Sequence, residues 1–201
     1  MVSFVFAGEG TSDDPLAGII SELIRRAGAD EVQALPQRLH GSSREKMAEL
    51  VEAAVPYDLV FLHRDADSTD PFPRVEEVRA AFAEHDLRGV PVVPVQMTEA
   101  WLLTDEQAIR DVVGHSRGRA SLNLPGLRRI EHTRDPKGIL QQACARASEA
   151  TGRRLKQTNS RFNDHRRALL ERLDPDGPVS QLASFQLLVH ETEQAVRSMF
   201  R

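Results

Sequence analysis

The chain has 201 residues, a length that suits one globular domain or one domain with an appendage. Hydrophobic residues make up 40% and charged residues 28%, which excludes global disorder, and a formal net charge of −4 argues against a dedicated nucleic-acid coat, although local patches matter more than the sum. The single cysteine, Cys144, excludes an intramolecular disulfide and a multi-cysteine zinc site, and is read as a small buried helix residue.

The N-terminal MVSFVFAGEG lacks the regions of a signal peptide, and no apolar run approaches the ~20 residues of a membrane span. A soluble cytoplasmic protein with no membrane partner is expected. Val2 to Phe6 (VSFVF) is a short β-branched and aromatic run, read as a buried strand that breaks at Gly8-Glu9-Gly10. Ser12 and Asp13 then offer N-cap oxygens to a helix with an apolar stripe at Leu16, Ile19, Ile20, Leu23 and Ile24, ended by Gly28. Glu31 to Leu35 is a weaker second strand. Ser42 or Ser43 caps a helix carrying Met47, Leu50, Val51 and Ala54. Asp58 to His63 (DLVFLH) is the clearest strand.

Pro73 suits the first turn of a helix running through Phe82. Val90 to Met97 is a strand despite Pro91 and Pro94, which remove ladder donors and favour an edge position or a strand end. Thr98 caps a helix beginning at Glu99, and Thr104 with Gln107 offers a capping box where the helix restarts. Residues 114–135 are rich in Arg, Gly and Pro and read as a loop with short pieces. Helical patterns follow at about 137–151, 162–173 and 179–200. Alternating strands and helices imply βαβ units. The fold class is therefore α/β: a mostly parallel sheet with helices on both faces over 1–113, then a loop and helical C-terminal part, 114–201, packed on it.

Ligands of an open parallel sheet sit beyond the carboxyl ends of its strands. Glu9 follows the first strand, and Asp65 and Asp67 follow the Asp58–His63 strand. If those strands are neighbours, ~4.8 Å apart, the acids converge within a metal-ligand span. Clustered carboxylates repel one another and persist when a cation neutralises them. Oxygen ligands suit magnesium or manganese. Gly8 and Gly10 allow close backbone approach to a phosphate, and the following helix N-terminus favours the same anion. His63 and Arg64 adjoin the D-x-D sequence, and Lys137 opens a helix after Asp135-Pro136. Arg64 and Lys137 are the basic side chains that are candidates to hold a phosphate.

FVFAGEGTSDD (strand, Glu, Gly, helix start) and LVFLHRDADS (strand, then D-x-D) together resemble the Toprim domain of topoisomerases, bacterial primases, OLD-type nucleases and small RNA-maturation nucleases. The resemblance covers about residues 1–110. VPVVPVQMTEAWLLTD is similar to a segment of small stand-alone Toprim-like proteins, several of which sit near bacterial anti-phage defence genes. In those the acid before Ala-Trp joins the site. The resemblance implies a metal-dependent nuclease, a hydrolase of phosphodiester bonds in DNA or RNA. Glu9 would be metal ligand or general acid/base, Asp65 and Asp67 would hold Mg2+ (or Mn2+), and Glu99 would be an added ligand. No fused ATPase, helicase or primase module is present in the sequence, which leaves the substrate open and makes a separate ATPase partner protein an expectation.

Other readings remain open. Glu99 equally suits a first-turn acid that favours the helix dipole. Asp13 and Asp14 read as caps, Asp105 as a helix N-terminal acid, and Trp101 as core. Arg117, Arg119, Arg128, Arg129, Arg153, Arg154 and Lys156 make the middle third the candidate phosphate-backbone surface, or a solvated face. His115, His132 and His165 lie at no metal-type spacing and read as surface residues. Asp65-Ala66-Asp67-Ser68-Thr69 also fits the D-x-D-x-T motif of haloacid-dehalogenase-like phosphatases, with Asp65 as nucleophile, but it follows the third strand and leaves Glu9 without a role. A non-catalytic Toprim-like module that binds a partner or nucleotide is the third reading.

Overall fold

The computed structural model describes residues 1–8, 10–37 and 39–200, apart from the side chain of Pro36. Glu9 lies outside the described residues. Strands β1 (Val2–Ala7), β2 (Val32–Pro36), β3 (Leu59–His63) and β4 (Gly89–Val92) form a four-stranded sheet in the order β2-β1-β3-β4. Every pairing is parallel. The strand alternation sends Phe4, Phe6, Leu59, Phe61, Val90 and Val92 to one face and Val5, Ala7, Val60 and Leu62 to the other. Both faces are covered, which is why β1 and β3 read as continuous apolar runs rather than alternating ones.

One face packs on α2 (Ser43–Glu52) and α3 (Phe72–Glu84) through Met47, Leu50, Val75, Val78 and Phe82. The other packs on α1 (Leu16–Arg26) and on the helices that follow the sheet. These are α4 (Glu99–Leu102), α5 (Glu106–Val113), α6 (Leu127–Ile130), α7 (Pro136–Ala147), α9 (Phe162–Glu171) and α10 (Ala183–Met199), while α8 (Gly152–Ser160) lies outside the core against α7 and α9. One apolar cluster runs from Phe4 through Trp101, Leu140 and Leu170 to Phe185 and Val196, so the C-terminal helices share the core of the sheet. No described helix is long and apolar enough to cross a membrane.

Several element ends differ from the sequence reading. β4 stops at Val92, not Met97, and sits at the sheet edge, where its prolines cost least. The chain nevertheless runs on beside residues 64–68, through Arg64 N–H to Val92 O (3.1 Å), Ala66 N–H to Pro94 O (3.1 Å) and Asp67 N–H to Gln96 O (2.9 Å). Ser12 and Asp13 do not cap α1: a 3-10 turn over Thr11–Asp13 intervenes, and the helix starts after Pro15. Ser42 does cap α2, in a full capping box with Glu45. The restart after α4 is capped by Asp105, which accepts from Ala108 N at 2.9 Å, while Thr104 Oγ1 donates to Trp101 O. The pattern over 137–151 ends at Ala147, and α8 forms in a stretch that carries no apolar periodicity.

Candidate active site at the carboxyl edge of the sheet

Ala7 of β1 is in register with Leu62 of β3, so the loops leaving these strands start side by side. Above them opens a cleft of about 610 Å³, lined among others by Gly10, Asp13, Asp65, Glu99, Lys137, Arg166 and Arg167. Its floor comes from the sheet edge and the start of α4. Its wall comes from α7 and α9.

Asp65 sits in the floor. Its Oδ1 accepts from Thr98 N (3.0 Å) and Thr98 Oγ1 (3.2 Å), and Oδ2 accepts from no described residue. Burial pushes the carboxyl up, but the His63 ring and the Thr98 donors outweigh it and hold Asp65 below the usual carboxylate range. His63 is 1% exposed, and its Nε2 lies 2.9 Å from Thr98 Oγ1. Because the Thr98 hydroxyl hydrogen is directed to Asp65, Nε2 is the donor of that pair. His63 Nδ1 then faces Asp13 Oδ2 at 3.6 Å without a hydrogen bond.

Arg166, from α9, fills the space between the loop after β1 and the start of α4. Its Nε donates to Glu99 Oε1 (2.9 Å), Nη1 to Ser12 O (2.8 Å) and Nη2 to Asp13 Oδ1 (2.8 Å). All three charged residues, Asp13, Glu99 and Arg166, are buried. Burial opposes the guanidinium charge, yet Glu99 and Asp13 together raise the Arg166 pKa above its ordinary value. Lys137, in the first turn of α7, and Arg167, one residue along α9, project at the rim. Lys137 makes no ion pair or side-chain hydrogen bond with a described residue, and Arg167 pairs with Glu171 at 2.9 Å.

The structure thus brings Gly10, Asp65, Glu99 and Lys137 into one cleft. Gly8 is adjacent, with its carbonyl accepting from Lys46 Nζ at 2.8 Å. Asp67 is not brought in: its backbone is left-handed (φ 53°), its side chain is 69% exposed, and its carboxylate lies 3.4 Å from Arg74. Arg64 follows β3 but does not line the cleft. Among the described residues, no group of three or more His, Cys, Asp or Glu side chains is arranged to hold a metal ion. Asp13, read as a cap, is a buried member of the site. His63, Thr98 and Arg166 were not singled out as site residues in the way the acids were, although His63 was flagged by its place next to the D-x-D sequence.

Trp101 and Cys144 are core residues, as expected. The indole Nε1 donates to Ser184 Oγ at 2.9 Å, and burial pushes the Cys144 thiol up to about 12. His165 is not a surface residue but 7% exposed, and burial, then the nearby Arg161, lower its pKa.

Comparison with curated proteins and with solved structures gave no match. A family model for a domain of unknown function, DUF4276, matches residues 16–193, which is most of the length, so the chain belongs to that family.

Proposed function

We propose that the protein is a Mg2+- or Mn2+-dependent phosphodiester hydrolase, a cytoplasmic nuclease of the Toprim kind that serves in anti-phage defence. The observation that carries the reading is the adjacency of β1 and β3. It sets Gly10 beside Asp65 in a cleft that also holds Glu99, Arg166 and Lys137. Carboxylates to hold a cation and fixed cations to hold phosphate oxygens are the two requirements of phosphoryl transfer.

The donor set suits a hard divalent cation in part. Asp65 Oδ2 and the Glu99 oxygen not taken by Arg166 are carboxylate oxygens with no described partner, on one cleft. Asp67 does not fit, because it is turned to Arg74. Glu9 keeps its proposed role as ligand or general acid/base. A bound cation supplies Lewis-acid stabilisation of the charge developing on the phosphoryl group. The protein's own groups do the rest. Thr98 and His63 fix the orientation of Asp65, Lys137 and Arg167 hold non-bridging phosphate oxygens at the rim, and Gly10 lets the backbone come close.

The test is a Mn2+-dependent cleavage screen over plasmid, single-stranded DNA and transfer RNA. Asp65→Asn, which keeps the acceptor for Thr98, is expected to lose cleavage while staying folded; cleavage at the wild-type rate in this variant refutes the reading. The non-catalytic alternative is favoured by one observation: Arg166 pairs with both Asp13 and Glu99, so each of these carboxylates has a partner within the protein. Calorimetric titration with Mn2+ separates the two, since absence of binding by the wild type favours the binding module. The phosphatase alternative needs Asp67 as general acid, a role its exposed pairing with Arg74 does not support.

A further inference from the structure

Helix α8 has no buried residue. Leu155 and Thr158 are half-buried against the body of the protein, which α8 meets at α7 and α9, and the remaining positions are exposed. Arg153, Arg154 and Lys156 lie in its first turns with no acid anywhere in GRRLKQTNS. None of the three makes an ion pair or a side-chain hydrogen bond with a described residue. Several exposed arginines elsewhere find acids three or four residues away, among them Arg26 with Glu22, Arg79 with Glu76, Arg167 with Glu171 and Arg197 with Glu193, while Arg88, Arg128, Arg129 and Arg134 form no ion pair with a described residue; what sets α8 apart is three cations on one short helix with no acid in it.

Stability does not explain this arrangement. Cations at a helix N-terminus oppose the helix dipole, and Arg153 and Lys156, three residues apart, repel each other. Thr151 supplies no side-chain cap to offset it. What such a cluster gains from is an external polyanion. Its place in the fold says which one, because α8 leads through Arg161 directly into α9, whose Asn163, Asp164, Arg166 and Arg167 line the cleft. Nine residues of helix span ~13 Å from that junction.

Resting on the phosphodiester reading of the cleft, we propose that the exposed face of α8 is a docking surface for the sugar–phosphate backbone of a nucleic-acid strand, carrying it away from the cleft. Arg153, Arg154 and Lys156 neutralise successive phosphates, and Gln157, Asn159 and Ser160 add hydrogen-bonding groups further along.

The experiment uses the full chain, a fluorescent single-stranded DNA and its RNA counterpart, and anisotropy across a salt series. The variant Arg153→Gln/Arg154→Gln/Lys156→Gln should weaken binding ~10-fold or more at low salt and flatten the log–log salt slope by roughly 2, as three lost contacts at ~0.7 each require on single strands. The charge-retaining variant Arg153→Lys/Arg154→Lys should keep the slope, which separates charge from damage to the helix. An unchanged slope in the triple Gln variant overturns the proposal. So does poly-glutamate binding that is equally tight and equally lost in that variant, since an acidic polypeptide would then be the partner. Hydrolysis of bis(p-nitrophenyl) phosphate, too small to reach α8, separates the two readings. If it survives in the triple Gln variant while oligonucleotide binding falls, the docking surface stands. If the wild type binds strands through α8 but hydrolyses nothing, the cleavage reading alone fails. If the small substrate is hydrolysed and the triple Gln variant binds strands as tightly as wild type, the docking surface alone fails.

Discussion

Arg166→Met is the perturbation that best tests how the cleft is held together. Methionine keeps much of the length and apolar stem of arginine but removes the charge and the five donors. Asp13 and Glu99, at 5% and 4% exposure, then lose the partner that bonds them at 2.8 and 2.9 Å, and the Ser12 carbonyl loses a donor. Breaking a buried charge pair by removing one member costs about 3–5 kcal/mol, because the other charge is stranded. For a chain of this length each kcal/mol is worth about 2–4 °C, so Tm should fall by about 6–20 °C. Urea melts at pH 8 measure the loss directly. The cost should shrink at pH 5, because a stranded carboxylate escapes by taking up a proton. Adding Asp13→Asn and Glu99→Gln to Arg166→Met should restore a large part of it. A loss below about 1 kcal/mol at pH 8, or a loss untouched by the two further substitutions, would refute the claim that charge compensation holds the cleft wall to its floor.

Gly89→Ala should cost about 1–3 kcal/mol in a denaturant melt, since a Cβ there would come within 2.3 Å of the Phe82 ring. Gly18→Ala is its counterpart: the position is exposed in α1 with nothing within 4 Å, so a gain of about 0.5–1 kcal/mol is expected. His165 has a lowered pKa when folded, through burial and then Arg161. The unfolded chain therefore takes up this proton first, and the contribution present above pH ~6.5 is lost as pH falls through the folded value. His165→Leu should flatten the stability profile in the window just below pH 6.5; an unchanged profile contradicts the assignment. Cys144, with its thiol pushed up to about 12, should resist a thiol reagent at pH 8 in the native protein and react in urea.

The parts of this fold that were legible in the sequence are those set by local physics. DLVFLH is buried on both faces and reads as an uninterrupted apolar strand, and Ser42 or Ser43 reads as the cap of the next helix, a choice the structure resolves to Ser42. The prolines of VPVVP pointed to an edge or a strand end, because a missing N–H is tolerated there, and β4 is an edge strand. Asp65 was singled out because a strand end is a local signal, whereas Glu99 came from the family resemblance, its helix-start position pointing equally to a first-turn acid. Arg166 was not: its partners Asp13 and Glu99 lie 153 and 67 residues away, and nothing in FNDHRRALL distinguishes it from the exposed Arg167 beside it. Asp13 was misread for a related reason. Its position after Gly10 suits a cap, and only the closure of α9 over the sheet edge shows that its carboxylate faces a guanidinium instead. Asp67 failed the other way, since a D-x-D spacing does not say that the second acid turns out through a left-handed backbone.

The charge balance of the cleft decides what it can bind. Asp13, Asp65 and Glu99 contribute three carboxylates against the single buried guanidinium of Arg166, so the described floor carries an excess of two negative charges. Exposed salt bridges elsewhere on the surface are worth little, but charges this far from water are screened weakly and their balance matters more. Lys137 and Arg167 do not cancel the excess, because both stand at the rim in contact with solvent. The result is a polarised site: negative at the sheet edge, and on α7 and α9 a rim where Lys137 and Arg167 outnumber Asp164, with about 610 Å³ between them. A bare phosphate would meet the rim favourably and the floor unfavourably. A phosphate accompanied by a divalent cation satisfies both sides at once. That pairing makes the metal and the substrate a single prediction. Phosphodiester binding should strengthen when Mg2+ is added to the wild type, and should stop responding to Mg2+ in Asp65→Asn. A substrate that binds the wild type equally well with and without Mg2+ would refute it.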